Sequence, residues 1–411
     1  MSDLKHRTFY KMKELDEIAN VDDLYRITEE LQQNSEKYLK YSEKYNAKVR
    51  QFLDKKRKYD LNIAVVGYKG PVGCWDPSDC KNGLPGSEEC AVYATNELAR
   101  RNIRVTVFMQ PPMKSIWKSP FSNPRWLELD YFNNSRFKET YDIVILWRRL
   151  DFLSFRHRLN PGGKCYFWPH DSPTFTNNSF SGCDGILFLS QHHRQQFLNT
   201  NPVVNRIPYI ISGNGLVLDQ FFEPSTLTNK YSIGYFSNYS RGLAILINLW
   251  PKIRQEFPKA TLEIYYGRET WGTMRKEDLE MLTEAIESYE SLGVKEVGKV
   301  GHEELAIAMR NLSVWAYPCI TESETFCITA VKTQAAGMIP VTTRIGALNE
   351  TVHTDAPSIP YIRDNNDMWA YENMLLTTLR NIDSFDRSKY IEFGKSFSWE
   401  ACIDKWLNFF R

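Results

Sequence analysis

Short apolar runs alternate with helical segments along this chain, and the alternation constrains its fold more than any other feature. The run LNIAVVG (61–67) ends in glycine and lacks polar alternation, which is typical of a strand buried on both faces of a parallel sheet. A helix is predicted from Ser87, with Glu88 and Glu89 in its first turn. A second apolar run, NIRVTVF (102–108), follows it. This strand-loop-helix-strand order is typical of a doubly wound α/β unit.

The same order restarts at YSIGYFSN (231–238), after a break near residues 223–230. The predicted fold class is therefore α/β, with two Rossmann-like domains, an inter-domain cleft and an N-terminal helical extension. We place the domains at residues 60–225 and 226–390. A C-terminal amphipathic helix, within residues 391–411, is predicted to pack at the domain junction.

Residues 1–59 are predicted to form the helical extension. Apolar and aromatic residues such as Leu24, Ile27 and Leu31 recur at spacings of three and four, as on one face of a long helix. Two interpretations stay open: a helix packed on its own domain, or a coiled coil that forms a homodimer or docks a partner. Asn34 and Lys48 occupy seam positions and weaken a strong coiled coil.

The bulk composition is that of an ordinary globular protein. Hydrophobic residues make up 42% and charged residues 25%, with a net charge of +1, so nothing indicates a nucleic-acid partner. No apolar run approaches eighteen residues and the first residues lack an apolar signal core, so we expect a cytoplasmic protein without a membrane span. The spacing of Cys74, Cys80 and Cys90 is not a zinc spacing. Reduced loop and core cysteines are therefore favoured over a metal site.

The segment Trp315–Pro340 carries the clearest functional signal. An apolar run is followed by a polar loop with Glu322 and Glu324, and then by a helical pattern from Phe326. In α/β sheets, such strand-end loops meet a ligand in the crevice at the carboxyl ends of the strands. The amides at a helix start suit phosphate, and a carboxylate suits hydroxyl groups. The segment therefore predicts a ligand with both groups, such as a nucleotide sugar.

Five segments, in this order along residues 60–410, resemble a GT-B glycosyltransferase of the large retaining family called GT4. The resemblance implies transfer of a sugar from a nucleotide-diphosphate sugar, UDP- or GDP-linked, to a glycan, glycoprotein or lipid-linked acceptor. It also implies retention of configuration, no cofactor and no metal, and the chain lacks a D-x-D motif. Variable loops such as residues 109–140 would read the acceptor. The segments are GLPGSEECAVYATNELARRNIRVTVF, WPHD, YFSNYSRGLAILINLWPKIRQEFPKATLEIYYG, ESETFCITAVKTQAAGMIPVTT and ALNETV.

The resemblance also implies roles for single residues. Glu324 would contact the donor sugar and His170 would lie near the transferred sugar, so both are the catalytic candidates. Arg241 would present its planar guanidinium to the pyrophosphate. Each has a structural alternative: a helix cap for Glu324, a buried structural role for His170, and a solvated loop side chain for Arg241. The implied donor-binding set is Gly83, Gly86, Arg241, Glu324, Phe326, Cys327, Ile328 and Lys332.

Three more residues of this set, Gly83, Gly86 and Lys332, carry open alternatives. Gly83 and Gly86 either allow a ligand to approach the backbone or merely form turns. Glu322 is expected to be solvated. Lys332 stands where the family has a second glutamate that accepts ribose hydroxyls, and lysine has three donors and no acceptor. Lys332 then points either at phosphate, where it serves as a cation, or at a neighbouring acid. Alternatively, the ribose is held differently or the donor is unusual.

Two other functions remain as alternatives. Lys332 also fits a non-catalytic sugar-nucleotide binder or scaffold whose N-terminal helix recruits partners. A sugar-nucleotide epimerase or hydrolase on the same fold is the weaker alternative.

Overall fold

The computed structural model describes residues 59–67, 73–112, 122–134, 138–174, 177–221, 227–268 and 273–411. The helical extension predicted over residues 1–59, with its coiled-coil and homodimer interpretations, lies outside these residues except for Tyr59. No helix among the described residues is long and apolar enough to cross a membrane.

The strands of the described residues form two parallel sheets, as the alternating pattern predicted. One has seven strands in the order β3-β2-β1-β4-β5-β6-β7, and the other has six in the order β10-β9-β8-β11-β12-β13. The strands are β1 (Leu61–Val66), β2 (Ile103–Met109), β3 (Arg125–Glu128), β4 (Tyr141–Trp147), β5 (Leu159–Trp168), β6 (Gly185–Phe188), β7 (Tyr209–Ile211), β8 (Ser232–Tyr235), β9 (Thr261–Tyr265), β10 (Val294–Gly298), β11 (Val314–Tyr317), β12 (Ile339–Thr343) and β13 (Ser358–Ile359).

The α-helices connect the strands and follow the last of them. They are α1 (Gly86–Arg100), α2 (Leu129–Asn133), α3 (Phe152–Phe155), α4 (Gln191–Thr200), α5 (Leu243–Glu256), α6 (Lys276–Ser288), α7 (His302–Asn311), α8 (Ile328–Ala335), α9 (Leu348–Thr351), α10 (Asn365–Arg380), α11 (Ser388–Lys395) and α12 (Trp399–Phe410).

Burial explains why the apolar runs became strands. All seven residues of β2 are buried, as are the last four of β1 and all of β11. Parallel registers pair β1 with both β2 and β4, and pair β11 with both β8 and β12. Strands covered on both faces need no polar alternation, so the sequence runs are continuously apolar.

The structure corrects three details of the sequence prediction. Helix α1 begins at Gly86, one residue before the predicted start at Ser87. Helix α8 begins at Ile328 rather than at Phe326. Part of the segment expected to be variable loop forms β3, which pairs in parallel with β2.

The chain divides into two compact units. The first comprises the described residues of Met1–Asp76, Thr95–Trp168 and Ser179–Gly185. The second comprises Pro77–Ala94, Pro169–Asn178 and Ile186–Arg411. The six-stranded sheet lies in the second unit, and its order reverses between the neighbouring strands β8 and β11. Such a reversal is a topological switch point, where the loops beyond the carboxyl strand ends diverge and leave a crevice.

Helix α12 closes the second unit. Ser398 caps it by accepting a hydrogen bond from the amide of Ala401. Its buried face includes Trp399 and Trp406, and the Cys402 thiol lies 3.2 Å from the carbonyl oxygen of Ser212, just after β7. The amphipathic pattern thus packs one face of α12 beside β7.

Candidate functional site

A cleft of about 620 Å³ opens in the second unit. All of its lining residues belong to that unit. They include most of the residues that the sequence analysis singled out: His170, Arg241, Glu324, Gly83, Gly86, Phe326, Cys327, Ile328 and Lys332. The fold therefore brings candidate residues from four separate segments of the chain to one cleft.

Arg241 and Glu324 meet at the switch point of the six-stranded sheet. Arg241 follows β8 and Glu324 follows the neighbouring strand β11, so their loops emerge side by side. Arg241 Nη1 donates a hydrogen bond of 2.6 Å to Glu324 Oε2, and the Tyr317 hydroxyl lies 3.3 Å from the same oxygen. The negative charge of Glu324 raises the pKa of the Arg241 guanidinium further above its usual value. Arg241 is thus a permanent cation held at the crevice, rather than a solvated loop side chain.

The two loops also touch through their backbones. Gly242 has a φ of +110°, and a side chain there would collide with the carbonyl oxygen of Pro318. Only glycine adopts such a conformation at little cost. The residue after Arg241 must therefore lack a side chain and adopt a left-handed backbone conformation for the Arg241 loop to contact the Glu324 loop.

Neighbouring segments hold the Glu324 loop in place. The backbone amide of Ala347 donates to the Glu324 carbonyl oxygen at 2.9 Å. From α4, Gln196 Nε2 and His192 Nε2 lie 2.8 and 2.9 Å from the Glu322 carbonyl oxygen. The Ser190 hydroxyl donates to the Thr325 carbonyl oxygen at 2.8 Å. The backbone of the loop is therefore anchored before, at and after Glu324, and this anchoring positions the Glu324 carboxylate at the cleft.

The start of α8 faces the same cleft. Cys327 precedes the helix with a left-handed φ of 62°, and the helix has no side-chain cap. Glu324 therefore does not serve as the cap that its structural alternative proposed. A helix start without a side-chain cap offers backbone N–H groups and the positive end of the helix dipole to an anion. Burial raises the pKa of the Cys327 thiol well above its usual value, so this thiol stays protonated.

Lys332 points at a neighbouring acid, one of the alternatives that the sequence left open. Its Nζ lies 2.5 Å from Glu89 Oε1, and the two side chains are only 7% and 6% exposed. Glu89 is in the first turn of α1, and both residues line the cleft. A buried lysine needs such a partner because an isolated charge is very costly to remove from water.

His302, the first residue of α7, lies beside this ion pair. Its Nε2 is 3.6 Å from Glu89 Oε2 and 3.0 Å from the Leu84 amide nitrogen, while its Nδ1 is 3.2 Å from the Tyr93 hydroxyl. Burial lowers the pKa of His302, and Lys332 lowers it further, whereas Glu89 acts in the opposite direction. The neutral imidazole therefore predominates near neutral pH.

The remaining expected residues are also at the cleft. His170 is 8% exposed, and its carbonyl oxygen lies 3.2 Å from the Thr325 hydroxyl. Gly83 has a φ of +82° and would collide through a side chain with the Val300 carbonyl oxygen. A side chain at Gly86 would crowd Ile328 at 3.2 Å. Both glycines thus allow close approach of other chain segments, and Glu322, as expected, is exposed.

Glu89, His302 and Tyr317 were not predicted as site residues. Glu89 was predicted only as an acid in the first turn of a helix, and Tyr317 lies in the apolar run that precedes the polar loop. His302 opens a helix without any recognisable motif. No group of three potential metal ligands among the described residues is placed to hold a metal ion.

Comparison with known proteins adds a family match over part of the chain. Residues 230–381 match the model of the family described as "Glycosyl transferases group 1". This region contains Arg241, Glu324 and Lys332. No curated protein matches the chain in sequence.

Several solved structures share the fold. HepE from Anabaena, solved in complex with UDP-glucose, is 13% identical with a TM-score of 0.60, covering 85% of this chain and 98% of HepE. Sucrose-phosphate synthase from Thermosynechococcus elongatus is 16% identical with a TM-score of 0.62, covering 84% and 97%. A glycosyltransferase from Rickettsia africae is 15% identical with a TM-score of 0.63, covering 86% and 98%. The fold is therefore the GT-B fold, and together with the family match it supports a glycosyltransferase.

Proposed function

We propose that this chain transfers a sugar from a nucleotide-diphosphate sugar to a hydroxyl acceptor, with retention and without a metal. One observation carries the proposal: a single cleft combines a fixed cation, Arg241, a carboxylate, Glu324, and the amino end of α8. That combination suits a ligand with both diphosphate and hydroxyl groups. HepE, which shares the fold, was solved with UDP-glucose, and this favours a UDP-sugar as the first donor to test.

The leaving group sets the main chemical demand. When the sugar departs, negative charge develops on the diphosphate, and preorganised donors aimed at that charge lower the barrier. Arg241 has five N–H donors, of which Glu324 takes one at Nη1. The other N–H groups and the amides from Phe326 to Ile328 are proposed to bind the diphosphate. The metal-free proposal rests on these positive groups, and retention rests on the resemblance to the retaining family.

The hydroxyl-bearing part of the donor is assigned to the remaining polar residues. Glu324 is proposed to accept a hydrogen bond from the donor sugar, and His170 to contact the transferred sugar, as the catalytic pair. Gly83 and Gly86 shape the wall of the cleft that the donor contacts, and Lys332 completes the donor-binding set. The acceptor is proposed to be a glycan, a glycoprotein or a lipid-linked sugar.

A cytoplasmic location is part of the proposal. All eight cysteines are free thiols, which fits a reducing compartment.

The test is release of free nucleoside diphosphate from UDP-, GDP- and ADP-sugars mixed with the full chain. Slow release without acceptor is expected from one of them, unchanged by a metal chelator. Thermal unfolding in the same panel reports binding separately from turnover. Binding without turnover, even with sugar acceptors present, would favour the non-catalytic binder. The absence of both binding and turnover would contradict nucleotide-sugar transfer. The anomeric configuration of the product, read by NMR, tests retention.

A further inference from the structure

The Glu89–Lys332 ion pair is an unusual feature for a cleft wall. Both charges are almost fully buried, and both face the cavity. Removing two charges from water costs several kcal/mol per ion, and apolar residues in place of such pairs are often equally stable or more so. Stability alone is therefore a weak reason for this pair, and its position suggests a role toward the ligand.

The atoms of the pair leave hydrogen-bonding capacity on both sides. Glu89 Oε1 is engaged by Lys332 Nζ at 2.5 Å. Glu89 Oε2 is 3.6 Å from His302 Nε2, beyond hydrogen-bond distance. An ammonium carries three N–H donors, and a carboxylate oxygen carries two acceptor sites. The pair can thus present one acceptor and one donor side by side.

Charge decides which ligand group this arrangement suits. The pair is neutral overall, so a phosphate drawn toward Lys332 is repelled by Glu89 from nearly the same distance. A hydroxyl group is neutral and can both donate and accept. Two adjacent hydroxyl groups therefore match the pair, one donating to Glu89 and the other accepting from Lys332.

We infer that the Glu89–Lys332 pair binds adjacent hydroxyl groups of the nucleotide sugar. Glu89 Oε2 accepts a hydrogen bond from one hydroxyl, and Lys332 Nζ donates to the neighbouring oxygen. The inference rests on the function proposed above and assigns Lys332 to hydroxyl groups rather than to phosphate. Both the ribose and the transferred sugar carry adjacent hydroxyls, so the experiment needs an arm for each.

The variants must avoid an unpaired buried charge. Lys332→Glu alone would place a second carboxylate against Glu89, so the two positions are changed together. The neutral variant, Glu89→Gln with Lys332→Met, removes both charges at similar side-chain size. The exchanged variant, Glu89→Lys with Lys332→Glu, keeps one acceptor and one donor in reversed positions. Glu322→Gln, an exposed site outside the cleft lining, is the control for loss of a carboxylate.

Calorimetric titration then measures the preference for hydroxyl-bearing ligands. The ribose arm compares UDP with its 2′-deoxy and 3′-deoxy forms, and the sugar arm compares UDP-glucose with UDP-2-deoxyglucose. If the screen above selects guanosine, the GDP series replaces them. We expect the wild type to prefer the hydroxylated ligand by roughly 10- to 100-fold in one arm, because a charged partner strengthens the hydrogen bond. The neutral variant should lose this preference while binding the deoxy ligand as before, and the exchanged variant should keep part of it.

Three results would overturn the inference. The first is a neutral variant that keeps the preference for the hydroxylated ligand, and the second is a neutral variant that loses affinity equally for hydroxylated and deoxy ligands. The third is a wild type that shows no preference in either arm. In each case nucleotide binding itself remains, so the proposed function stands. Failure of every nucleotide and nucleotide sugar to bind the wild type is a different result, and it overturns the proposed function as well.

Discussion

Two ion pairs line the same cleft and differ mainly in their burial. Arg241 and Glu324 are 2.6 Å apart with side-chain exposures of 30% and 12%, whereas Lys332 and Glu89 are 2.5 Å apart at 7% and 6%. A guanidinium that stays partly exposed can keep its acid and still bind a further anion through its other N–H groups. The Lys332 ammonium also has further N–H donors, but Glu89 offers an acceptor beside them, so this pair matches a group that both donates and accepts. The more exposed pair is therefore suited to a charged ligand group and the buried pair to a neutral one.

The two pairs also differ in their supporting elements. Arg241 and Glu324 stand on loops after neighbouring strands, where the sheet order reverses. Glu89 and Lys332 stand on the first and second turns of helices α1 and α8. Helices fix side-chain positions more firmly than loops do, so the helix-borne pair is expected to affect stability most and the loop-borne pair to affect turnover most.

The largest effect, on the free energy of unfolding, is expected when one partner of the buried pair is removed. Lys332→Met leaves the Glu89 carboxylate buried without its cation, and such a change typically costs about 3–5 kcal/mol of unfolding free energy. Chemical denaturation should show this loss. The neutral double variant, which also carries Glu89→Gln, should recover most of it. Equal stability of the single variant and the wild type would mean that the pair is not buried in solution.

The next effect concerns turnover rather than stability. Arg241→Ala removes a fixed cation from the place where leaving-group charge is proposed to develop, and loss of one such donor commonly lowers the rate about 10²- to 10³-fold. Initial rates of nucleoside diphosphate release provide the measurement. Arg275→Ala, an exposed arginine outside the cleft lining, is the matched control and should be without effect. Equal rates for both variants would remove Arg241 from the mechanism.

A smaller effect is expected from Glu324→Gln. The amide keeps the size of the side chain but loses the charge that accepts from the sugar and orients Arg241, so donor affinity should fall by roughly 10- to 100-fold. Glu322→Gln, two residues earlier in the same loop but exposed, should bind like the wild type. Titration with the nucleotide sugar distinguishes the two variants. A matching loss in both would indicate that the loop, rather than the Glu324 carboxylate, is responsible.

The smallest effect is a pH dependence of stability that arises from His302, beside the buried pair. Burial lowers the pKa of His302, so its imidazole binds a proton at a higher pH in the unfolded chain than in the folded chain. Unfolding free energy should therefore fall as the pH drops below about 6.5, the usual histidine value, and level off below the folded value. Tyr93, Glu89, Lys332 and Lys299 face the ring or act on its charge.

His302→Gln should make this decline shallower. Some decline will remain because burial also lowers the pKa of His193, to about 4. An unchanged pH profile in His302→Gln would show that the decline comes from His193 or other groups. Arg241 should add nothing in this range, since its pKa is raised further above its usual value.

Much of the fold was predictable because buried parallel strands leave a strong local signal. The runs at 61–67 and 102–108 became β1 and β2, with each boundary within a residue of the prediction. Strand β3 was missed because its four residues, RWLE, mix charge with apolar side chains and lie in a segment without periodicity. Its parallel pairing with β2, a tertiary contact, defines it instead.

The candidate site was predictable only where a motif carried the signal. Arg241 and Glu324 were placed in one site by their order along the chain, but their mutual hydrogen bond, across 83 positions, was not foreseen. The Lys332 substitution was visible, whereas its partner was not. Glu89 looks like any acid in a first helical turn, and no local spacing links it to a lysine on another helix.

The buried Glu89–Lys332 contact also restricts how the two positions can change over time. Any single replacement that removes one charge leaves the other stranded, and a carboxylate at position 332 would face the carboxylate already at position 89. A lineage can therefore exchange this arrangement for another only through paired or closely successive substitutions. Among relatives that share this cleft, residues 89 and 332 are expected to vary together, with charge at one position forecasting charge at the other.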